Sequence, residues 1–191
     1  MLGWRETMGK SKSGPVYQLK ITLANVKPPV WRRVEVMDCS LSTLHLIIQI
    51  VMGWSNSHLW DFEVANERYG EDDSGELDMM DSNKIRLSRI AQSHVKKFHY
   101  TYDFGDNWDH VIQIEKILEP NSQAQYPRCV KGSRACPPDD CGGPGGYSAF
   151  VAAIQDPSHR SHKEMLDWVG GEFDPEAFDL ESINDDLAPF W

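Results

Sequence analysis

The sequence predicts a single α+β domain in which helices pack on a mainly antiparallel or mixed β-sheet. Apolar and polar residues alternate, as in strands, over much of the first two thirds of the chain, and helical spacing dominates the last third. The 191 residues, 40% of them hydrophobic, suffice for one core. Residues 1–15 contain a Gly-Lys-Ser-Lys-Ser-Gly run and are predicted to form a disordered arm, so the domain spans residues 16–191.

The first two strands are predicted to form a hairpin. Residues 16–24 alternate apolar and polar side chains, and Pro28-Pro29 ends this strand because proline cannot donate to a β-ladder. Residues 30–36 form the returning strand.

A helix and a third strand follow. Residues 42–52 have apolar side chains at helical spacing, with Ser42 as the N-cap and Gly53 at the C-terminus. His45 in this helix is interpreted as a buried histidine held by hydrogen bonds. Residues 58–64 form a strand with aromatic side chains on one face. The Gly-, Asp- and Glu-rich residues 66–81 are predicted to be a solvated excursion; residues 84–93 then supply a short strand or one helical turn.

A second hairpin, residues 98–116, is predicted to lie in the middle of the sheet. Alternation places Phe98, Tyr100, Tyr102 and Phe104 on one apolar face. The returning strand is apolar on both faces, which indicates a central strand rather than an edge.

The tip of this hairpin concentrates groups that can do chemistry. Asp103, Asp106, Asp109 and His110 lie within eight residues around a Gly-Asp-Asn corner. Asp and Asn are common in such corners because their side chains bond nearby backbone groups, so turn formation alone accounts for part of the pattern. It does not account for Asp109-His110, because a strand start disfavours Asp.

The last third is predicted to be an ordered loop followed by helices. Residues 126–147 contain many Gly and Pro residues, which do not sustain helix or strand. Residues 147–155 form a helix. Residues 161–164 read as a capping box that starts another helix, residues 174–175 as the start of a short helix, and residues 180–187 as the last helix.

An ordered set of motifs resembles the plasmid pRiA4b ORF-3-like family over about residues 17–187. The motifs are Pro28-Pro-Val-Trp-Arg-Arg33, Leu44-His45 with Gly53-Trp54, His58-Leu59, Tyr102-Asp-Phe-Gly-Asp106 with Trp108 and His110, Tyr126-Pro127, and Pro137-Pro-Asp-Asp-Cys-Gly-Gly143 with Gly146-Tyr147. The family typically has Glu where this chain has Asp139. The resemblance implies an uncharacterised protein associated with plasmids or mobile elements, and we expect a binding or accessory module.

A metal-dependent, hydrolase-like enzyme is the alternative function. Asp103, Asp106 and His110 could bind a divalent cation, with Asp139 or Asp140 completing the shell or acting as general base. Carboxylate and imidazole ligands suit zinc or manganese. No His-Glu-x-x-His motif is present in the sequence.

Three cysteines offer two further hypotheses. Cys129, Cys136 and Cys141 could hold a structural zinc with a histidine, although their spacing is not that of a zinc knuckle. The candidate fourth ligands are His110, His159 and His162. Cys141 could instead act as a nucleophile ahead of a helix N-terminus. The alternative to both is that the cysteines are free, half-buried thiols.

A binding module would use exposed aromatic and guanidinium groups, which are enriched at contact hot spots. The alternative fate of these residues is core packing. The candidates are Trp31, Arg32, Arg33, Trp54, Trp60 and Trp108.

The charge of the chain indicates which class of partner to expect. The net charge of −10 disfavours a nucleic-acid partner and favours an unidentified protein or small molecule. Residues 1–36 carry seven Lys or Arg against two Glu, a local balance of +5 that could make weak nucleic-acid contacts.

No signal peptide or membrane-length apolar run is apparent, so we expect a cytoplasmic protein with no membrane contact.

Overall fold

The computed structural model describes residues 14–71 and 77–191 as one α+β domain with an eight-stranded mixed sheet. The strands are β1 (Val16–Leu23), β2 (Trp31–Met37), β3 (Trp60–Val64), β4 (Glu67–Gly70), β5 (Met80–Asp81), β6 (Lys97–Tyr102), β7 (Trp108–Leu118) and β8 (Arg128–Ser133). The helices are α1 (Leu41–Met52), α2 (Leu87–Gln92), α3 (Gly143–Gln155), α4 (His162–Val169) and α5 (Leu180–Leu187). Most of the predicted disordered arm, and with it the start of the basic region, lies outside the described residues.

The sheet has the order β5-β4-β3-β6-β7-β1-β2-β8, which places the second hairpin at its centre as predicted. All neighbouring strands are antiparallel except the short β4–β5 pair, which is parallel. β1 and β2 form the predicted first hairpin, with Leu19 opposite Val34. β3 pairs with β6, with Trp60 opposite Tyr102. This last pairing brings the residues before β3 to the tip of the central hairpin.

Helix α1 packs its apolar face on the sheet, as its periodicity predicts. Leu44, Ile48 and Val51 are almost fully buried in the same core as the strand residues. The helix begins one residue earlier than expected, and the N-cap is Ser40, whose side chain accepts a hydrogen bond from the Thr43 amide. The prediction of Ser42 as the cap was therefore wrong. Gly53 ends the helix in the left-handed conformation, as predicted.

The buried side chain of His45 is held by hydrogen bonds, which confirms its structural interpretation. Its Nδ1 lies 2.8 Å from the Tyr100 hydroxyl and its Nε2 lies 2.7 Å from Asn56 Oδ1. The ring stacks on Trp60 with a centroid distance of 3.9 Å. Gln49 donates to the same Tyr100 hydroxyl. These bonds join α1 to the centre of the sheet.

Two segments predicted as loops contain regular structure. The excursion at residues 66–81 includes β4 and β5 at the edge of the sheet, with residues 72–76 outside the described part. The Gly- and Pro-rich stretch includes β8, where Cys129 pairs with Val34 of β2. Pairing with an existing strand supplies the backbone hydrogen bonds that the local sequence does not favour. Residues 84–93 contain the short helix α2 of six residues rather than a strand.

Two helix starts differ from the sequence prediction. The side chain of Ser161 makes no capping bond, although α4 does begin at the next residue. Residues 174–175 start a turn and not a helix: the Asp174 side chain accepts from the Glu176 amide, which is a local Asx-type bond. Within residues 14–71 and 77–191, no helix has the length and apolar character needed to cross a membrane.

Candidate metal centre

The tip of the central hairpin is fastened to the loop that precedes α3. The Gly142 amide donates to Asp106 Oδ2 at 3.0 Å. Gly143 has a positive φ of 68°, and a Cβ there would collide with the carbonyl oxygen of Asp106. Only glycine therefore lets the two backbones approach this closely. The loop carrying Asp139 and Asp140 is held against the hairpin by this contact.

This junction brings together one imidazole and two carboxylates. His58 Nε2 lies 3.3 Å from Asp140 Oδ1 and 3.8 Å from Asp103 Oδ2. One ligand atom of each residue lies within 4.8 Å of the other two. In the part of the chain that the structure describes, no other group of three or more His, Cys, Asp or Glu side chains meets this condition. We call these three residues the triad.

Asp103 is placed by the turn that ends β6. It adopts a left-handed φ of 56°, which Asp tolerates better than most residues, and its amide donates to the Leu59 carbonyl at 2.8 Å. Its Oδ1 accepts from the amides of Gly105 and Asp106. The other carboxylate oxygen, Oδ2, points to His58 and is left for a ligand.

The same turn corrects the predicted face of Phe104. Reversal of the chain at Asp103 takes Phe104 out of the strand, and 36% of its surface is exposed. Phe98, Tyr100 and Tyr102 keep the predicted alternation and are buried.

His58 is positioned by its neighbours in the turn before β3. The Ser57 amide donates to the Tyr102 hydroxyl at 3.1 Å, and the Tyr102 ring lies edge-on to the His58 ring. The Nε2 atom of His58 is buried, yet it makes no hydrogen bond of acceptable geometry. A buried polar atom without a partner is uncommon and calls for an explanation.

Asp140 completes the triad from the solvent side. It also adopts a left-handed backbone, with a φ of 60°, and 73% of its side chain is exposed. Asp139 next to it points elsewhere: its Oδ2 accepts from the amide and hydroxyl of Ser55. Asp139 and Asp106 therefore fasten loops together, whereas Asp103 and Asp140 face the imidazole.

The structure does not place His110 in the triad. Its side chain is fully buried, with Nδ1 donating to the Tyr100 carbonyl at 3.2 Å and its ring edge-on to Trp54. Burial lowers the pKa of His110 to about 4, so the ring is neutral near pH 7. The strand alternation that puts Trp108 and Ile112 in the core also puts His110 there. The structure therefore does not bring His110 together with Asp103 and Asp106.

The three cysteines are not arranged as a zinc site. None belongs to a three-ligand cluster within the described residues, and Cys129 Sγ donates to the Lys131 carbonyl on β8. The candidate fourth ligands His110, His159 and His162 also belong to no such cluster among the described residues.

The structure also argues against Cys141 as a nucleophile. Burial, with the Asp106 carboxylate adding to it, raises the pKa of the Cys141 thiol to about 12. The thiol is therefore protonated at neutral pH.

Most of the predicted recognition surface is core. Trp54, Trp60 and Trp108 are buried, which agrees with the alternative that these residues pack in the core. Arg32 is buried as well, and its guanidinium donates to three backbone carbonyls, those of Trp31, Val51 and Ser133. Trp31 and Arg33 remain partly exposed at the surface of the sheet.

An open groove of about 510 Å³ borders the triad. It lies between α3 and α4, and Asp140 lines one part of it. Its other lining residues are largely apolar, with Phe150, Met165 and Trp168 the largest of them. A molecule held in the groove would therefore lie beside Asp140.

Sequence reasoning missed His58 as a site residue, although the His58-Leu59 motif was part of the resemblance. A usable signal existed in the predicted aromatic strand of residues 58–64. Pairing of that strand with the central hairpin places its first residues beside the hairpin tip.

Comparisons with other proteins agree with this fold and its motifs. The model of the plasmid pRiA4b ORF-3-like protein family matches residues 15–182. The uncharacterized protein y4hQ of Sinorhizobium fredii is 40% identical over 183 residues, covering 92% of this chain and 94% of that protein. The crystal structure of protein of unknown function MM3350 from Methanosarcina mazei Go1 matches with a TM-score of 0.83 and 34% identity, over 88% of this chain and 98% of that one. The chain therefore belongs to the plasmid pRiA4b ORF-3-like protein family.

Proposed function

We propose that this protein binds one divalent transition-metal cation at the triad His58, Asp103 and Asp140 and uses it in hydrolysis. The observation that carries the proposal is the convergence of the buried His58 Nε2, which makes no hydrogen bond, with an oxygen of each carboxylate at 3.3 and 3.8 Å. Metal–ligand bonds of about 2.0–2.2 Å put neighbouring ligand atoms about 3.0–3.4 Å apart in tetrahedral or octahedral geometry. The contact between His58 Nε2 and Asp140 Oδ1, at 3.3 Å, already has such a distance, and all three ligand atoms lie within 4.8 Å of one another.

The donor set favours zinc or manganese over other common ions. The ligand atoms are one imidazole nitrogen and two carboxylate oxygens, with no sulfur among them. Imidazole suits transition metals, and carboxylate suits zinc and manganese alike. The two Asp side chains also supply the negative charge that offsets a dication.

The exposure of Asp140 supports a reactive site rather than a structural one. Structural zinc sites are closed by four protein ligands, whereas catalytic sites keep a position for water or substrate. Here three residues supply ligands, and Asp140 is 73% exposed beside an open groove. A bound cation would lower the pKa of a water in the open position and make it a nucleophile near pH 7.

Calorimetric titration of chelator-stripped protein with ZnCl₂ and MnCl₂ tests the proposal. We expect near-stoichiometric binding that weakens by about 100-fold or more in His58→Ala, because a first ligand is lost. His99→Ala is the matched control. His99 forms a comparable pair with Asp109 at 3.1 Å but belongs to no three-ligand group among the described residues, so its loss should leave metal binding unchanged. Equal affinity in the two variants, or no binding by the wild type, would overturn the metal site.

Hydrolysis is tested separately with chromogenic esters and phosphodiesters, such as 4-nitrophenyl acetate and bis(4-nitrophenyl) phosphate. We expect turnover that requires the added cation and falls to background in Asp103→Asn. This substitution keeps the shape of the side chain and removes the charge that holds the ion.

The second candidate function is a binding or accessory module, including one associated with mobile elements. It is favoured by the exposed apolar side chains Leu59 and Phe104, which directly follow His58 and Asp103 and are 55% and 36% exposed. Apolar groups beside a site suit contact with a partner. Metal binding without turnover on any substrate, together with cation-dependent capture of one partner, would favour this function.

A further inference from the structure

We infer that the groove between α3 and α4 binds small organic anions with an apolar body. As the substrate class of the triad, this inference rests on the proposed function; as a binding site, it stands independently. Two observations carry it as a binding site, namely the shape and lining of the groove and the exposed Arg160, and the contact with Asp140 carries the link to the triad.

The floor of the groove is one face of α3. Gly146, Ala149, Phe150 and Ala153 recur there at helical spacing, and three of the four have small side chains that leave space above the helix. Met165 and Trp168 of α4 form the opposite wall, and the Trp168 ring lies edge-on to Phe150. The volume of about 510 Å³ falls within the range of about 300–1,000 Å³ typical of small-molecule pockets.

The end of the groove at Arg160 attracts an anion. Arg160 lines it, is exposed, and makes no ion pair or hydrogen bond with any described residue. His159 is beside it, and because its Nδ1 accepts from the Ser161 amide, the proton of the neutral ring lies on Nε2. The groove therefore offers a guanidinium and an imidazole N–H to a carboxylate, sulfonate or phosphate.

The other end of the groove, at Asp140, would also be compatible with an anionic ligand once the triad holds a cation. Asp140 lines the groove and belongs to the triad. A cation bound there would neutralise the carboxylates and place the reactive position beside the apolar lining. The ligand would extend along α3 with its anionic group at Arg160.

A fluorescence titration with 8-anilinonaphthalene-1-sulfonate tests the inference, with N-phenyl-1-naphthylamine as its uncharged counterpart. We expect Arg160→Gln to weaken sulfonate binding about fivefold, the scale of an exposed charge-assisted contact, and to leave the uncharged probe unaffected. Lys163→Gln is the matched control, because Lys163 is exposed on α4 but does not line the groove.

A second pair of variants tests whether the groove itself is the place where the probes bind. Ala149→Leu should weaken both probes by about tenfold or more, because its side chain occupies the floor. Ser148→Leu adds the same apolar bulk to α3 outside the groove and should weaken neither. All titrations are repeated in EDTA and in Asp103→Asn, so that a failure of the metal site does not affect the result.

The outcomes are distinct. Weakening by both Arg160→Gln and Ala149→Leu supports the inference even if no metal binds. The inference is overturned if the sulfonate does not bind, or if at least one of the two variants fails to weaken its binding. Sedimentation of the wild type as a dimer that Ala149→Leu dissociates would overturn it as well, since the occupant would then be a second copy of the chain.

Discussion

Gly143 at the start of α3 is the position where one added methyl group tests how the triad is assembled. It combines a φ of 68° with a backbone approach in which a Cβ would collide with the Asp106 carbonyl oxygen. The alanine in Gly143→Ala cannot relieve this collision by a rotamer change, because both the Cβ and the carbonyl belong to the main chain. The loop must separate from the hairpin tip.

The expected cost follows from two terms. A non-glycine residue in the left-handed region costs about 1–2 kcal/mol, and overpacking against a fixed neighbour costs about 1–3 kcal/mol. Together these terms predict that the free energy of unfolding falls by about 2–5 kcal/mol. Separation also breaks the Gly142–Asp106 hydrogen bond and moves Asp140 away from Asp103, so zinc affinity should fall by about tenfold or more.

Urea unfolding and zinc calorimetry measure both effects, with Gly145→Ala as the control. Gly145 lies in the same helical turn and does not have a positive φ, and among the described residues an added Cβ would meet no atom within 4 Å beyond its chain neighbours and the backbone of its own helix. Alanine there should be neutral or stabilising. Equal stability and equal zinc affinity in the two variants would refute the account of how the loop is held.

Three further predictions concern the core, the buried guanidinium and the thiols. Burial lowers the pKa of His45 and His110 from 6.5 to about 4. The unfolded chain therefore takes up protons first as the pH falls, and stability present above pH 6.5 is lost towards pH 4. Between pH 7.5 and 5.0 we expect urea unfolding to show a loss of about 2 kcal/mol per histidine, and a flat profile would contradict the burial of both rings. Arg32→Leu removes the guanidinium that donates to three carbonyls and should cost about 3 kcal/mol or more. The same change at the partly exposed Arg33 should cost about 1 kcal/mol or less, and thermal unfolding of both variants decides between these values. With a pKa of about 12, the Cys141 thiol should react with iodoacetamide at pH 7.5 far more slowly than free cysteine, and Cys141→Ala should keep full metal affinity; rapid alkylation would reopen the nucleophile hypothesis.

Local patterns were enough to predict the framework of the fold. Alternation and helical spacing depend on which face of an element is buried, so β1, β2, α1 and the central position of the β6–β7 hairpin follow from the residues themselves. Elements held by tertiary pairing did not follow. β8 lies in a Gly- and Pro-rich stretch, and it becomes a strand because β2 offers it an edge.

The candidate site was predictable in part for the same reason. The meeting of the hairpin tip with the Pro-Pro-Asp-Asp loop was the predicted location, and Asp103 and Asp140 do converge there. His110 seemed the natural imidazole because it is close in sequence, but strand alternation turns it into the core. His58 is more than forty residues from Asp103 and reaches it only through the pairing of β3 with β6. A ligand that depends on strand pairing cannot be chosen by sequence proximity.

Anomalous diffraction from crystals grown with zinc or manganese, recorded at the absorption edge of the metal, tests the central claim most directly. The account predicts one strong peak about 2.0–2.2 Å from His58 Nε2 and from one oxygen each of Asp103 and Asp140. It also predicts that the peak is absent in Asp103→Asn crystals. A peak among Cys129, Cys136 and Cys141, or no peak at the triad in the wild type, would contradict it.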